Sequence, residues 1–489
     1  MANLARVLEL AQEHHGDAVA YGGLTDGLTY TQLYRSAVRI ASRLIEAGSK
    51  RAVIAEPNSP LIPAAIFGAA LAGATYAPLN YRLPGATRRQ LLERLGPAVV
   101  ITPEWLDPAE SGAMPYAQAS DGTEEVNPAA IVFTSGTSAA PKAVVFEHEH
   151  LLRAALREPQ LSAGPDQAAL LTAPPFHLPN ILILLSAIHT GRRLVPYAPH
   201  HFSAQHWLEM VKTERITQAV LVPTMLQRIV DHLERTGEEP PPLARLGYGS
   251  ARIPQPVLTK ALKLFPDTTF SNSYGSTEST GAIAVLNDHD HRSFAASRDP
   301  VLARRLQSAG KPLPGIEIRI ADADYSPLPA SNQGQILVRG PQISGRYLDT
   351  SSAMVTDDWL ATGDQGWIDN DGYLYCSGRG DDTLIIGGEN VAAAEIEDVL
   401  INHPAIAEAV VIGIEDTEWG EIPAAVITLK GADITALPDD LSEWSVQHLG
   451  SLKRPRHFYI VEELPQTPTG KVIRRQVRQH VLAQLRDEF

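Results

Sequence analysis

Four short segments carry residues that could together bind a nucleotide and a metal ion. The first, TSGTSAAPK, runs from Thr134 to Lys142 and follows the apolar stretch AAIVF. Small hydroxyl residues around a glycine let backbone N–H groups converge on an anion, and Lys142 can add a charge-assisted contact to phosphate. The spacing G-x-x-x-x-G-K-[ST] of a P-loop is absent, as is a dinucleotide-binding fingerprint. By itself the segment predicts either an anion-binding loop or a plain surface turn.

The second segment, SNSYGSTES, combines an aromatic ring, a hydroxyl and a carboxylate between Ser271 and Ser279. Tyr274 offers a flat face on which a purine can stack, and Thr277 offers a hydroxyl to a phosphate oxygen. Glu278 supplies the hard oxygen that Mg²⁺ prefers as a ligand. These residues predict a magnesium–nucleotide site, and a polar turn after a strand is the plain alternative.

The third segment, ATGDQGWIDNDGYLYCSGR, holds Asp364 and Arg379. A carboxylate acceptor and a bidentate guanidinium donor are suited to the hydroxyls of a ribose. An aspartate in a glycine-flanked turn is common, so this motif alone is weak.

The fourth segment, LPQTPTGKVIRR, puts Lys471 on a loop just before a predicted helix. A flexible cation there can reach an acyl carboxylate and an α-phosphate together, and neutralise the charge that grows as they react. An isolated lysine is usually a solvated surface residue, so its interpretation depends on the other three segments.

The bulk properties narrow the class of protein. A chain of 489 residues exceeds one ordinary core and predicts two or three domains. With 44% hydrophobic and 20% charged residues the composition is that of a globular protein. The net charge of -15 argues against binding nucleic acid or an anionic membrane surface. A single cysteine, Cys376, and the lack of a signal-peptide pattern at the start favour a reducing, cytoplasmic location.

The elements that must position these residues are predicted from hydrophobic patterning. Residues 28–110 alternate helical patterns with short apolar runs, the rhythm of βα units around a mostly parallel sheet. The apolar run from Leu61 to Leu79 is broken by prolines and glycines, which predicts a buried helix leading into a strand rather than a membrane span. From Gly315 short β-rich pieces predict a small antiparallel subdomain. A second domain then includes a helix from Ala393.

The predicted fold is therefore α/β, with a large N-terminal domain of βα-type sheets plus a small β-rich subdomain, followed by a small α+β C-terminal domain. The predicted boundary separates residues 1–379 from residues 380–489. The hinge is expected at Gly380 and Asp381, within GRGDD.

The four segments occur in the order and with the spacings of the adenylate-forming superfamily. That superfamily groups acyl- and aryl-CoA synthetases, the adenylation domains of nonribosomal peptide synthetases, and beetle luciferases. Further segments that resemble it include PPFH, GYGSARIP, DDWLATGD and GRGDDTLIIGGENVAAAEIE. The resemblance covers essentially the whole chain. On these motifs the chain is identified as a member of the superfamily, most like acyl- or aryl-CoA ligases.

The resemblance implies a role for each site residue. The phosphate loop would consist of Thr134, Ser135, Gly136, Thr137, Ser138 and Lys142. The adenine would lie between Tyr274, with its neighbours Ser273 and Gly275, and the strand formed by Gly249, Ser250 and Ala251. Thr277 would touch the α-phosphate, Glu278 would help to hold Mg²⁺, and Asp364 and Arg379 would bind the ribose. Lys471 would drive adenylation, and His177 would border the acyl pocket and shift between steps.

The reaction that the resemblance implies has two halves. In the first, the acid attacks the α-phosphorus of MgATP and pyrophosphate leaves. In the second, a mobile C-terminal domain turns about Asp381 and withdraws Lys471. The loop that contains Gly387 and Gly388 then faces the cleft, and the thiol of coenzyme A takes the acyl group. The implied co-substrates and cofactor are ATP, Mg²⁺ and coenzyme A.

In the expected acyl pocket no acid to pair with a substrate ammonium is evident, and the stretch from PPFH to the next strand has no aspartate. Its lining is expected near Phe176, His177, Ile181, Val222, Pro223, Gly247 to Ala251 and Tyr274 to Thr280. An aryl, fatty or polyketide-like acid is therefore favoured over an amino acid. Arg252, just beyond Ala251, is either a partner for a polar substituent of the acid or a surface residue.

Several alternatives stay open at this stage. Transfer to a carrier protein or to an amine would share the first half-reaction, and the sequence leaves a monomer or a dimer equally open. The family's phosphate loop usually has glycines where Ala139 and Ala143 stand, and alanine disfavours positive φ. That departure motivates a further alternative, a catalytically silent nucleotide-binding homologue.

Overall fold

The computed structural model describes residues 3–107, 127–134, 141–199, 201–349, 352, 354–356, 358–379, 383–386, 389–416, 419–430, 437–467 and 472–487. Its helices are α1 (Ala5–His15), α2 (Tyr30–Glu46), α3 (Leu61–Leu71), α4 (Gly85–Leu95), α5 (His148–Ala155), α6 (Leu178–Thr190), α7 (Ala204–Thr213), α8 (Pro223–Thr236), α9 (Gln255–Leu264), α10 (Asp288–Ala296), α11 (Pro300–Arg304), α12 (Ala393–Leu400), α13 (Leu437–His448) and α14 (Arg474–Asp487).

The strands of the N-terminal region are β1 (Val19–Tyr21), β2 (Leu28–Thr29), β3 (Arg51–Ile54), β4 (Thr75–Pro78), β5 (Val99–Val100), β6 (Ala130–Thr134), β7 (Lys142–Phe146), β8 (Ala168–Leu171), β9 (Arg193–Pro196), β10 (Gln218–Leu221), β11 (Arg245–Gly249), β12 (Thr269–Ser276), β13 (Gly281–Leu286) and β14 (Lys311–Pro312). The later strands are β15 (Glu317–Ala321), β16 (Gly334–Arg339), β17 (Met354–Thr356), β18 (Trp359–Ile368), β19 (Leu374–Arg379), β20 (Thr383–Ile386), β21 (Glu389–Ala392), β22 (Ile406–Asp416), β23 (Gly420–Leu429) and β24 (His457–Ile460).

Two mostly parallel sheets build the large N-terminal domain. One has nine strands in the order β14-β13-β12-β11-β10-β8-β9-β1-β2, and the other has five in the order β5-β3-β4-β6-β7. A single hydrophobic core contains residues of both sheets together with α1, α2, α3 and α6. All eleven residues of α3 are buried, because it packs within this shared core, and β4 follows it. The predicted buried helix leading into a strand is therefore confirmed.

The β-rich subdomain and the C-terminal domain also follow the prediction. Strands β15 to β19 form an antiparallel sheet in the order β15-β16-β18-β17, with β19 on β18. The last sheet has the order β21-β20-β23-β22, with β24 parallel to β23. It has hydrophobic clusters of its own, which include α12 and α14 residues. The helix expected from Ala393 is present as α12, and the predicted α/β fold with a small α+β C-terminal domain is confirmed.

The hinge lies outside the part of the chain that can be described. Strand β19 ends at Arg379 and β20 begins at Thr383, so Gly380 and Asp381 fall between described strands. The boundary between residues 379 and 380 and the hinge at Asp381 stay predictions. Among the described residues, every helix is too short or too polar to cross a bilayer.

Arg252 connects the two domains instead of facing a substrate. Its guanidinium forms an ion pair with Asp398 of α12 and donates a hydrogen bond to Gln307 Oε1 over 2.9 Å. The idea that Arg252 pairs with a polar substituent of the acid is therefore wrong for this arrangement of domains. Asp398 is half-buried, and desolvation raises the pKa of its carboxyl to about 6, while the charge of Arg252 acts in the opposite direction.

Candidate active site

The phosphate loop is closed by an antiparallel strand pair. Strands β6 and β7 pair with Thr134 opposite Lys142, and the Thr134 hydroxyl reaches the Lys142 carbonyl at 3.5 Å. The two ends of the predicted loop are thus held together, with the Lys142 side chain at its mouth. The loop residues Ser135, Gly136, Thr137 and Ser138 lie outside the described residues, so their assignment stays a prediction.

Ala143 occupies a position where a glycine is unnecessary. It lies in strand β7 opposite Phe133, is fully buried, and its carbonyl accepts a hydrogen bond from the Leu348 N–H over 2.9 Å. An extended strand residue has a negative φ that alanine adopts readily. The disadvantage of alanine at positive φ therefore does not apply at Ala143, and Ala139 lies outside the described residues.

The predicted adenine platform is built from two adjacent parallel strands. Gly249, the last residue of β11, pairs with Ser273 of β12, and a side chain at Gly249 would collide with the Ser273 carbonyl oxygen. The neighbouring Gly275 is as tightly confined, against the Gly281 carbonyl. Glycine is thus required at both positions by close backbone approach.

The end of the platform differs from the expectation. Ser250 and Ala251 follow β11 in a bend and are not part of the strand. Ser250 has φ +69, the left-handed region, which turns the chain away from the sheet immediately after Gly249. The strand predicted over Gly249, Ser250 and Ala251 is therefore wrong for the last two residues.

Tyr274 brings the second and third segments together. Its hydroxyl donates a hydrogen bond to Asp364 Oδ2 over 2.7 Å, across 90 residues of sequence. Burial raises the pKa of Tyr274 well above its usual range, and the Asp364 carboxylate adds to the effect, so the phenol stays a donor at neutral pH. Asp364 also lies opposite Arg379 in the β18–β19 ladder. The backbone thus unites the predicted ribose pair, while the Arg379 side chain is outside the described structure.

Glu278 is held by a residue that sequence reasoning missed. Its Oε1 accepts a hydrogen bond from the Tyr347 hydroxyl over 3.1 Å, and its carbonyl accepts one from the Gly345 N–H over 3.2 Å. The ammonium of Lys142 lies 5.1 Å from the centroid of the Tyr347 ring, within cation–π range. Tyr347 thus connects the phosphate-loop lysine with the predicted metal ligand.

Gln342 fixes the turn after Glu278 and was also missed. This buried amide donates to the carbonyls of Ser279 and Ala282 over 3.1 and 3.0 Å, and it accepts from Arg157 over 3.0 Å. The turn needs such support because Thr280 has φ +54. No local motif marks Gln342 or Tyr347, since their partners lie 60 or more residues away in sequence.

The donor set of the site fits a magnesium ion shared with a nucleotide. Within the described ranges, no group of three or more His, Cys, Asp or Glu residues could hold a metal alone. Mg²⁺ in nucleotide sites typically binds one or two carboxylates and completes its shell with phosphate oxygens and water. Glu278 can supply one such carboxylate. Its Oε1 accepts a hydrogen bond from the Tyr347 hydroxyl.

His177 stands at the start of α6 with its imidazole largely enclosed. Its ring centroid lies 4.6 Å from that of Phe176, and Nε2 is buried without a hydrogen-bond partner among the described residues. Burial, with a smaller contribution from Arg82, lowers the pKa of His177 to about 4. The imidazole is therefore neutral at pH 7. Ile181, expected in the same wall, is fully buried in the core and does not border an open space.

A polar cavity of about 620 Å³ lies next to His177 and is lined by both domains. The N-terminal domain contributes Asn58, Arg82 and Pro174, and the C-terminal domain contributes Gln466 and Thr467. Asn180, two residues into α6, is fully buried and donates to Asn58 Oδ1 over 2.8 Å. The segment that leads to Lys471 thus borders the same cavity as Pro174 and Pro175, which lie shortly before His177 in the chain.

Replacing His177 with glutamine should reduce the loss of stability on acidification. Because the pKa is near 4 in the folded chain and near 6.5 when unfolded, stability is full above pH 6.5 and falls as the pH drops towards 4. At pH 5 the loss attributable to His177 is about 2 kcal/mol. Thermal midpoints at pH 7 and pH 5 test this, with the exposed His289→Gln as control. An equal acid shift in both variants contradicts the assignment.

Comparison with known proteins decides the family. Residues 8–348 match the family model described as AMP-binding enzyme. The chain belongs to the AMP-binding enzyme family. Residues 395–471 of this AMP-binding enzyme match the family's C-terminal domain model, so both predicted domains have a family counterpart. The predicted membership of the adenylate-forming superfamily is confirmed.

Individual relatives cover nearly the whole AMP-binding enzyme. A 2-succinylbenzoate–CoA ligase of Bacillus cereus (strain ZK / E33L) is 31% identical over 93% of this chain and 94% of its own. The fatty acid–[acyl-carrier-protein] ligase ScoC of Streptomyces coeruleorubidus is 29% identical over 92% and 91%. The o-succinylbenzoate CoA synthetase MenE of Bacillus subtilis, solved with the acyl-adenylate OSB-AMP, has 26% identity and a TM-score of 0.81 over 98% of both chains. The same synthetase is also known in complex with ATP and a magnesium ion.

Proposed function

We propose that this AMP-binding enzyme activates a carboxylic acid with ATP and transfers the acyl group to coenzyme A. The observation that carries the proposal is the pair of contacts that tyrosines make between the predicted nucleotide segments: Tyr347 lies between Lys142 and Glu278, and Tyr274 donates a hydrogen bond to Asp364. A lysine at a phosphate loop, a metal-binding carboxylate and a ribose-binding carboxylate are the groups that MgATP requires. The family and the CoA ligase among the relatives of this chain support the same function.

In the first half-reaction an oxygen of the acid attacks the α-phosphorus of ATP. The bond from that phosphorus to the bridging oxygen breaks, and pyrophosphate leaves with the electron pair. Magnesium, when bound, neutralises phosphate charge during this displacement. Lys142 contacts the departing phosphates, Thr277 the α-phosphate, and Lys471 the charge shared by the acid and the α-phosphate. Asp364 and Arg379 hold the ribose, so the nucleotide keeps its position while the bond breaks.

In the second half-reaction the thiol sulfur of coenzyme A attacks the acyl carbon. The carbon–sulfur bond forms, the bond from the acyl carbon to the phosphate oxygen breaks, AMP leaves with the electron pair, and the thiol proton passes to water. The C-terminal domain turns about Asp381. This turn withdraws Lys471 from the cleft and brings in the loop that contains Gly387 and Gly388. The ion pair between Arg252 and Asp398 joins the two domains in this structure, so a turn of the C-terminal domain would change this contact.

The expected substrate is an acid with an uncharged body, of the aryl, fatty or polyketide-like class. His177 is neutral and Phe176 is buried beside it, so this wall offers ring surface rather than charge. The similarity to a 2-succinylbenzoate–CoA ligase favours the aryl class and puts 2-succinylbenzoate first in a test panel, where its second carboxylate tests the expected uncharged body. We further assign the enzyme to the cytoplasm, because its single cysteine suits a reducing compartment.

An acid panel tests the proposal in two stages. Exchange of labelled pyrophosphate into ATP identifies the acids that are activated, with 2-succinylbenzoate, benzoates and straight-chain fatty acids as the first set. Each accepted acid is then offered coenzyme A, a phosphopantetheinylated carrier protein or an amine, and the product is weighed by mass spectrometry. The expected result is an acyl-CoA thioester.

Transfer to a carrier protein is the second candidate, because a relative that covers 92% of this chain is a carrier-protein ligase. If accepted acids form a thioester with the carrier and never with coenzyme A, the acceptor assignment is wrong and adenylation stands. If no acid in an extended panel supports exchange, adenylation itself is contradicted.

A further inference from the structure

Residues 344–348, here named the strap, lie along strand β7 like a short additional strand. The Val145 N–H donates to the Arg346 carbonyl and the Leu348 N–H donates to the Ala143 carbonyl, each over 2.9 Å. The Ser344 hydroxyl donates to the Val145 carbonyl, and Tyr347 lies opposite Val144 in an antiparallel bridge. The backbone of Tyr347 is therefore fixed to the strand that begins with the phosphate-loop lysine.

The strap also contacts Glu278 twice. The Gly345 N–H donates to the Glu278 carbonyl over 3.2 Å, and the Tyr347 hydroxyl donates to Glu278 Oε1 over 3.1 Å. A glutamate carboxylate rotates easily about its last bond unless a neighbour holds one oxygen. The Tyr347 hydroxyl provides that restraint at Oε1, and so limits rotation of the whole carboxylate, including Oε2.

We propose that Tyr347 is a positioning residue that orients the Glu278 carboxylate towards the magnesium of bound MgATP. The proposal rests on the proposed function, since it takes Glu278 as the metal ligand. Hydrogen bonds to ligating carboxylates commonly change metal affinity 10- to 100-fold. The Tyr347 ring also lies against the Lys142 ammonium, at 5.1 Å from its centroid. One side chain thus sets the spacing between the metal ligand and the phosphate-binding cation.

The test removes the hydroxyl and keeps the ring. Tyr347→Phe should raise the dissociation constant of Mn²⁺ about tenfold in the complex with α,β-methylene-ATP. Electron paramagnetic resonance of free Mn²⁺ measures this constant without any acid or turnover. Tyr325→Phe, a tyrosine in a turn of the β-rich subdomain, is the matched control and should leave the constant unchanged. Thermal midpoints of both variants show whether the fold is intact.

A double-mutant cycle separates orientation of Glu278 from a general packing role. If Tyr347 acts through Glu278, then Tyr347→Phe should have no further effect on Mn²⁺ binding in a Glu278→Gln background. An unchanged Mn²⁺ constant in Tyr347→Phe, or an equal loss in both backgrounds, overturns the proposal. Tyr347→Leu, which also removes the ring, should in addition weaken nucleotide binding measured without metal.

A negative result for Tyr347 can be distinguished from a failure of the proposed function. Because the Mn²⁺ measurement needs no substrate acid, it tests Tyr347 even if no acid supports pyrophosphate exchange. Conversely, an enzyme that activates acids while its Tyr347→Phe variant binds Mn²⁺ normally keeps its function and loses this inference.

Discussion

Lys471→Ala is expected to lower the rate of acyl-adenylate formation about 10²- to 10³-fold, the usual effect of removing one preorganised charge from a transition state. Transfer from a preformed acyl-adenylate to coenzyme A should stay close to the parent rate. The reason is that negative charge accumulates between the acid and the α-phosphate only in the first half-reaction. Lys471 itself lies outside the described residues, so its role is a prediction from its sequence segment.

The residues around Lys471 support this role. Gln466 and Val472 form an antiparallel bridge and the Ile473 N–H donates to the Pro465 carbonyl over 2.8 Å, which closes the chain into a loop. On its near side Gln466 and Thr467 line the cavity that also contains Asn58 and Arg82. The loop ends are therefore anchored next to the cleft in which the acid is expected.

Two assays separate the half-reactions of Lys471→Ala. Pyrophosphate exchange reports the first, and thioester formation from synthetic adenylate and coenzyme A reports the second. Arg475→Ala is the control, because it removes an exposed cation from α14 four residues away. A Lys471→Ala variant that is inactive in both assays, with an unchanged thermal midpoint, would refute the division of labour.

The sequence was sufficient where function depends on a local pattern. The antiparallel subdomain, α3 and α12 followed from periodicity and turn residues, and membership of the family followed from motif order. Tyr347 and Gln342 could not be found in this way, because each acts on residues 60 or more positions earlier. A hydrogen bond between distant segments has no periodicity, so only the folded chain reveals it.

Ala143 and Ser250 show that residue type alone does not predict backbone conformation. A missing glycine at residue 143 motivated a silent homologue, yet that residue lies in a strand where alanine is unstrained. Ser250 is not a glycine but adopts φ +69, a conformation that its residue type does not predict. Backbone conformation at a single residue depends on its neighbours in space, here the pairing of Gly249 with Ser273.

Each of the two carboxylates of the site accepts a hydrogen bond from a tyrosine hydroxyl. Asp364 accepts a hydrogen bond from Tyr274 over 2.7 Å, and Glu278 accepts one from Tyr347 over 3.1 Å. In each case the phenol satisfies one carboxylate oxygen and so limits rotation of the group. If both carboxylates bind the nucleotide complex as proposed, they are already held in place before it arrives, which lowers the ordering cost of binding.

Glu278→Gln is expected to slow acyl-adenylate formation about 10²-fold, because the metal loses its only predicted protein carboxylate while the side chain keeps its size. The amide oxygen can still accept the Tyr347 hydrogen bond, so the fold and the strap should be preserved. The loss should therefore appear as a higher requirement for Mg²⁺. Pyrophosphate exchange measured across a wide range of Mg²⁺ concentrations tests this.

Glu278→Asp sharpens the interpretation of that result. It keeps the charge but draws the carboxylate back by one methylene, away from Tyr347, so it should fall between the parent and Glu278→Gln. If charge alone governed the site, Glu278→Asp would match the parent. If orientation by Tyr347 matters as well, Glu278→Asp should need more Mg²⁺, and adding Tyr347→Phe should then change little. If Glu278→Gln depends on Mg²⁺ as the parent does, Glu278 is not the metal ligand, because the metal would then need no charge at residue 278.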